Sequence, residues 1–279
     1  MSSPEARRAA FQTDGYLVLP GFKPVAELEA LRRRALEIVD GAEPGAPAAV
    51  FSSVAPERLA DAALIASAEA MHVFFEEEAF DDQGRLRQSR ARSINKIGHA
   101  LHDLDPVFDA FSRGPALAEV ARAAGLEAPQ LWQSMVIFKQ PYIGGEVRWH
   151  QDASFFVTEP QSVTTFWFAL EDATRDNGCL WVQPGGHRGP LREVFERQGT
   201  SLSMRRLDDT PWPTQDDAVA LEVPAGTLVC FHGHLPHWSA PNRSAASRMA
   251  YTLHVTNARA TYSPRNWLQR TRLPLRGFV

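Results

Sequence analysis

Two short motifs carry most of the chemistry legible in this chain. The first is Trp149-His150-Gln151-Asp152. The second is His237-Trp238-Ser239-Ala240-Pro241-Asn242, with Arg248 eleven residues beyond His237. Two imidazoles and one carboxylate, with His150 and Asp152 two apart and the second His far downstream, form the ligand set of a non-haem Fe(II) oxygenase. Such a set leaves open positions on an octahedral ion for a bidentate 2-oxo acid and for O2. An Arg fork at position 248 can pair with the far carboxylate of 2-oxoglutarate, and Ser239 can add a hydroxyl donor. The predicted metal ligands are His150, Asp152 and His237, and the predicted catalytic set adds Arg248.

Each residue alone has a plainer explanation. The histidines can be satisfied barrel residues, and Arg248 can cap a strand or pair with an acid. Their joint spacing favours the metal reading. A rival ligand set exists: Gly226 followed by His232-Gly233-His234 fits the opening of a cupin motif, which needs no 2-oxoglutarate. The Glu expected a few residues on is missing, since Trp238 and Ser239 stand there. A non-catalytic barrel that binds a metal or a 2-oxo acid is a further alternative.

The elements that must hold these residues follow from periodicity. Residues two apart on a strand share a face, so a strand over 149–157 would bring His150 and Asp152 to one ion and turn Gln151 away. Further strands are predicted at 131–138, 163–170, 180–182, 219–223, 227–231 and 249–255, with His237 at the exit of one and Arg248 at the start of the next. Many short strands at modest spacing suggest a sandwich or barrel. Upstream, residues 4–39 read as helix, strand, helix, with Leu28, Leu31, Ala35 and Ile38 at helical spacing. Gly41, Pro44, Gly45 and Pro47 mark a loop over 40–50, and 55–125 reads as mostly helical. The expected fold is mainly β with N-terminal helices (α+β): a helical layer about 1–128, a jelly-roll barrel about 129–260 and a tail 261–279, in one domain.

Composition narrows the function. Across 279 residues the formal charge is −4, and 44% are hydrophobic. No global basic field draws the chain to nucleic acid or an anionic membrane, and no run of about 18 apolar residues is present to span one. Cys179 and Cys230 are the only cysteines, too few for a disulfide framework. The N-terminus has no apolar signal region. We expect a cytoplasmic enzyme with a small-molecule substrate. The run Arg85, Arg87, Arg90, Arg92 can hold a phosphate or CoA, although such runs are usually solvated faces. Arg148, beside the first motif, is a second candidate for a substrate anion.

Several segments extend the argument beyond the ligands: DGYLVLPGF (14–22), SINKIGHALHDLDPVF (93–108), QSMVIFKQP (133–141), GGEVRWHQDASFFVTEP (144–160), EDATRDNGCLWVQPGGHR (171–188) and YSPRNWLQ (262–269). In these the chain resembles the phytanoyl-CoA dioxygenase family of Fe(II)/2-oxoglutarate oxygenases, most of all its domain-containing-protein subgroup. The resemblance implies a double-stranded β-helix and iron held by His150, Asp152 and His237. It also implies 2-oxoglutarate held by Arg248 and Ser239, with Lys96, Met135 and Trp167 lining that pocket. We count Gln151, between the two ligands, with the co-substrate contacts. The implied reaction decarboxylates 2-oxoglutarate to succinate and CO2 while hydroxylating a substrate. Halogenating relatives lack the carboxylate that Asp152 supplies. Pro184-Gly185-Gly186-His187 departs from the family, which often has Ser before the His, and His187 is not assigned to the metal.

Overall fold

The computed structural model describes residues 3–42, 49–51 and 61–279. The chain opens with helix α1 (Pro4–Asp14), strand β1 (Tyr16–Leu19) and helix α2 (Val25–Gly41). Gly15 ends α1 at φ 84, the left-handed conformation that only glycine adopts without strain. Helix α3 (Asp61–Ala66), strands β2 (Met71–Phe75) and β3 (Ile94–His99), and helices α4 (Leu101–Leu104), α5 (Pro106–Phe111) and α6 (Pro115–Ala123) follow. Then come β4 (Pro129–Ile137), β5 (Val147–His150), β6 (Thr158–Glu159), β7 (Thr164–Ala169) and β8 (Leu180–Val182). The chain closes with β9 (Glu193–Gln198), β10 (Ser201–Arg206), β11 (Val219–Leu221), β12 (Leu228–His232), β13 (His237–Ser239), β14 (Ala250–Asn257) and β15 (Thr261–Tyr262).

Two antiparallel sheets make the barrel. The major sheet runs β1-β12-β7-β14-β4-β3-β2, and the minor sheet β11-β8-β13-β5. The central strands of the major sheet are buried on both faces, so they read as continuous rather than alternating hydrophobic runs. Alternation still sorts their side chains. Phe166, Phe168, Cys230, Tyr251, Leu253 and Val255 point outward into a core shared with Leu28, Leu31 and Ala35 of α2, Phe108 and Phe111 of α5, and Val120 of α6. Trp167, Ala169, Val229, Phe231 and Ala250 point inward to meet Leu180, Val182 and Leu221 of the minor sheet. Each fully buried Leu or Phe contributes about 1.5–3 kcal/mol, so helical layer and barrel are one hydrophobic structure. The jelly-roll expectation holds.

Three local expectations change. The stretch 55–125 is not mostly helical among the described residues: β2 and β3 extend the major sheet, with β3 hydrogen-bonded to β4. Lys96 therefore sits on a strand. The strand expected over 149–157 stops at His150, and Asp152–Ser154 forms a 3-10 turn held by the Ala153 amide on the Gly233 carbonyl. His237 is not merely at a strand exit; it begins β13, paired to His150 of β5. Of the loop expected over 40–50, residues 43–48 lie outside the described residues. The last residues pack against the body, where Phe278 is fully buried and Glu69 accepts from the backbone amides of Thr271, Arg272 and Leu273. No helix among the described residues is long and apolar enough to cross a membrane.

Candidate active site

His150 and His237 face each other because β5 and β13 pair them in register. Their ring centroids are 4.0 Å apart. Each ring is fixed by its own backbone. His150 Nδ1 lies 2.8 Å from the Arg148 carbonyl, and His237 Nδ1 lies 3.0 Å from the Leu235 carbonyl. A carbonyl only accepts, so each Nδ1 carries the proton and donates it. Each Nε2 is left with a lone pair for a metal.

Both Nε2 atoms point at Asp152. Its Oδ1 is 3.5 Å from His150 Nε2 and 3.7 Å from His237 Nε2. The three residues offer ligand atoms all within 4.8 Å of one another, as a divalent ion requires. Burial alone would raise the Asp152 pKa, but the His237 and His254 imidazoles hold it well below the usual carboxylate range. Burial, with His150 alongside, pushes His237 down to about 4. Both groups are thus in their metal-binding protonation states at neutral pH.

Arg248 lies two residues before β14 and is almost fully buried. Its Nε donates to the Gly178 carbonyl at 3.1 Å, and its Nη2 donates to Ser239 Oγ at 3.3 Å. The Ser239 hydroxyl in turn donates to Gly178 at 2.9 Å. Trp167 lies under the guanidinium, 5.6 Å from ring centroid to Cζ. Nη1 is buried without a hydrogen-bond partner among the described residues. Burial lowers the Arg248 pKa to about 10, so the cation persists at neutral pH. A buried guanidinium with an orphaned N–H suits a carboxylate. Gly178 makes this cradle possible: at φ 84, a Cβ there would lie 2.6 Å from Lys139 Cδ and 2.7 Å from the Ala240 carbonyl oxygen.

One pocket between the sheets contains the triad and the Arg248 cradle. Met135, Ile137, Trp167, Leu180 and Phe231 supply its apolar walls, and Thr252 adds a buried hydroxyl without a hydrogen-bond partner among the described residues. The donor set and the buried guanidinium together fit Fe(II) and 2-oxoglutarate.

The other predicted residues divide. Met135, Trp167 and Ser239 line this pocket. Lys96 is buried opposite Ile137 in the β3–β4 ladder, with Nζ 3.0 Å from the Phe51 ring centroid. Burial drops its pKa to about 7, against the opposing pull of Glu76. Gln151, counted among the co-substrate contacts, faces away from that pocket, beyond the end of β5. Its amide donates to the Pro190 and His234 carbonyls and accepts from Arg192 N, which removes it from the co-substrate pocket. The rival cupin pair, His232 and His234, joins no cluster of three ligands among the described residues. Phe231 and Thr165 face the triad, while their register neighbours His232 and Thr164 face the opposite side, where His232 Nδ1 accepts from the His234 amide. Arg148 places its guanidinium on Glu193 at 3.3 Å. Arg85 pairs with Asp81, and Arg87 donates to the Phe80 carbonyl, both exposed and outside the pocket. Two residues beside Asp152, Thr165 and His254, escaped the sequence reading. Their one signal was a polar side chain at an inward position of a buried strand.

The chain is similar to known proteins along most of its length. The family model described as phytanoyl-CoA dioxygenase (PhyH) matches residues 11–250. A phytanoyl-CoA dioxygenase of Arabidopsis thaliana is 42% identical over 267 residues, covering 95% of this chain and 93% of that protein. The phytanoyl-CoA dioxygenase domain-containing protein 1 of Bos taurus is 43% identical over 270 residues, covering 94% and 93%. Among solved structures, EctD from S. alaskensis with 2-oxoglutarate and 5-hydroxyectoine superposes with a TM-score of 0.66 at 20% identity, covering 100% of this chain and 86% of that one. The α-ketoglutarate-dependent epimerase SnoN from nogalamycin biosynthesis gives 0.64 at 16%, covering 98% of each. At those identities the solved structures speak to the fold alone. Matched from position 11 to position 250, and similar to these relatives along nearly its whole length, the chain belongs to the phytanoyl-CoA dioxygenase family.

Proposed function

We propose that this chain is a hydroxylase that uses Fe(II), O2 and 2-oxoglutarate to oxidise a small-molecule substrate. One observation carries the reading: a His-Asp-His cluster shares a pocket with a buried guanidinium whose Nη1 has no hydrogen-bond partner among the described residues. Bound together, Fe(II) and 2-oxoglutarate supply the oxidative decarboxylation that yields succinate and CO2 and the oxidant for a C–H bond.

This chain's residues supply the geometry. His150, Asp152 and His237 hold the metal, with both imidazoles locked by carbonyls before it arrives. Arg248 takes the far carboxylate of 2-oxoglutarate through Nη1, while Gly178 and Ser239 fix the guanidinium plane. Met135 and Trp167 keep water from the co-substrate, and Lys96 adds positive charge on the same side of the barrel. Asp152 would supply the carboxylate ligand that halogenating relatives lack, which supports hydroxylation over halogenation. The small-molecule class is supported by solved structures with this fold, EctD with 5-hydroxyectoine and SnoN with nogalamycin RO. Replacing His150 or Asp152 with Ala should abolish 2-oxoglutarate turnover, and turnover retained in either variant would contradict the ligand assignment.

A further inference from the structure

The two oxygens of Asp152 have different surroundings. Oδ1 faces the two ligand histidines. Oδ2 faces away from them, accepts a hydrogen bond from Thr165 Oγ1 and lies 3.4 Å from His254 Nε2. Thr165 belongs to β7 and His254 to β14, and the ladder pairs the two residues directly. Both are almost fully buried, and the His254 ring stacks on Phe156 with centroids 4.9 Å apart. Asp152 itself sits on a 3-10 turn beyond the end of β5. Its backbone lacks the ladder that aligns the two histidines, so its carboxylate plane must be set from outside.

We propose that Thr165 and His254 are positioning residues that fix the Asp152 carboxylate, reserving Oδ1 for the metal by occupying Oδ2. The inference rests on the His150-Asp152-His237 reading of the metal centre and goes beyond it. A carboxylate free to rotate can swing between the metal and its neighbours, or offer both oxygens. Two donors on adjacent rigid strands remove that freedom before the metal binds, as outer partners of metal ligands commonly do. The strand pair is the economical place for them, because one register match delivers both donors to one oxygen.

The test is Mn(II) binding by calorimetry in the absence of 2-oxoglutarate, with thermal melts of the metal-free proteins alongside. Thr165→Val removes the hydroxyl at constant shape, and His254→Phe removes the ring nitrogens while keeping a ring against Phe156. Each should weaken Mn(II) binding roughly 10- to 100-fold. Thr165→Ser and His254→Gln, which keep a donor, should recover most of the affinity. The Thr165→Val/His254→Phe double variant should lose less than the product of the single losses, because both act on one oxygen. Affinities within about twofold of the parent would overturn the proposal, whether or not the melts shift. A lower melting temperature with intact affinity would assign the pair a packing role instead. A parent protein that binds no Mn(II) would overturn the triad reading itself, so the two failures are distinguishable.

Discussion

Replacing Arg248 with Leu should separate binding from stability. Arg248 is a buried cation whose Nη1 has no hydrogen-bond partner among the described residues and whose Nε and Nη2 are satisfied by Gly178 and Ser239. Removing an unpaired buried charge for an apolar side chain is neutral or stabilising, so the melting temperature should hold or rise. Binding of 2-oxoglutarate should collapse, because its far carboxylate would enter a dry pocket without the guanidinium that pairs with it. Leaving one member of a buried pair without its partner costs about 3–5 kcal/mol. At about 1.4 kcal/mol per decade, that is roughly a 100- to 4,000-fold loss of affinity. Arg248→Lys keeps the charge but loses the fork. One charged hydrogen bond is worth about 1.5–3 kcal/mol, so Lys should fall between the parent and Leu. Calorimetric titration of 2-oxoglutarate into Mn(II)-loaded protein, without O2, reads both variants. An affinity within about threefold of the parent in Arg248→Leu would refute the pairing. A sharp fall in melting temperature would show that Arg248 serves the fold instead.

Lys96→Met should stabilise the protein in a pH-dependent way. Burial lowers the folded-state pKa from 10.5 to about 7, so below pH 7 both states are protonated and folding bears the full desolvation cost. As pH rises from about 7 to about 10.5 the folded state sheds its proton, and the cost fades. The gain should be on the order of 2–4 kcal/mol near pH 6, reduced by loss of the Phe51 contact, and should shrink near pH 10. Urea unfolding at both pH values checks this, and an equal gain at both would contradict it. Gly178→Ala should destabilise by about 1–3 kcal/mol, since φ 84 and the Lys139 and Ala240 contacts leave no room for a Cβ. Because Gly178 O anchors Arg248 and Ser239, 2-oxoglutarate affinity should fall in the same variant; unchanged affinity would show that the cradle tolerates the shift.

The sequence carried the site further than it carried the elements. His150, Asp152, His237 and Arg248 were legible because metal and carboxylate chemistry restrict residue type, and spacing does the rest. The period-2 argument for His150 and Asp152 reached the right pair through the wrong element, since the strand gives way to a turn after His150. A local turn tied to Gly233 brings the carboxylate round, and no pattern in the sequence marks that contact. β2 and β3 were hidden among helices because their partners, β3 and β4, are fixed by tertiary pairing rather than by a turn between them. Thr165 and His254 show the same limit: each is one of several polar residues on a buried strand, and only the β7–β14 register brings both to one carboxylate.

The most direct test of the account is anaerobic reconstitution with Fe(II) and 2-oxoglutarate, followed by admission of O2. The account predicts a weak visible charge-transfer band from the chelate and O2-dependent succinate release, both lost in Arg248→Leu. Iron bound without the band, and no succinate on adding O2, would contradict it.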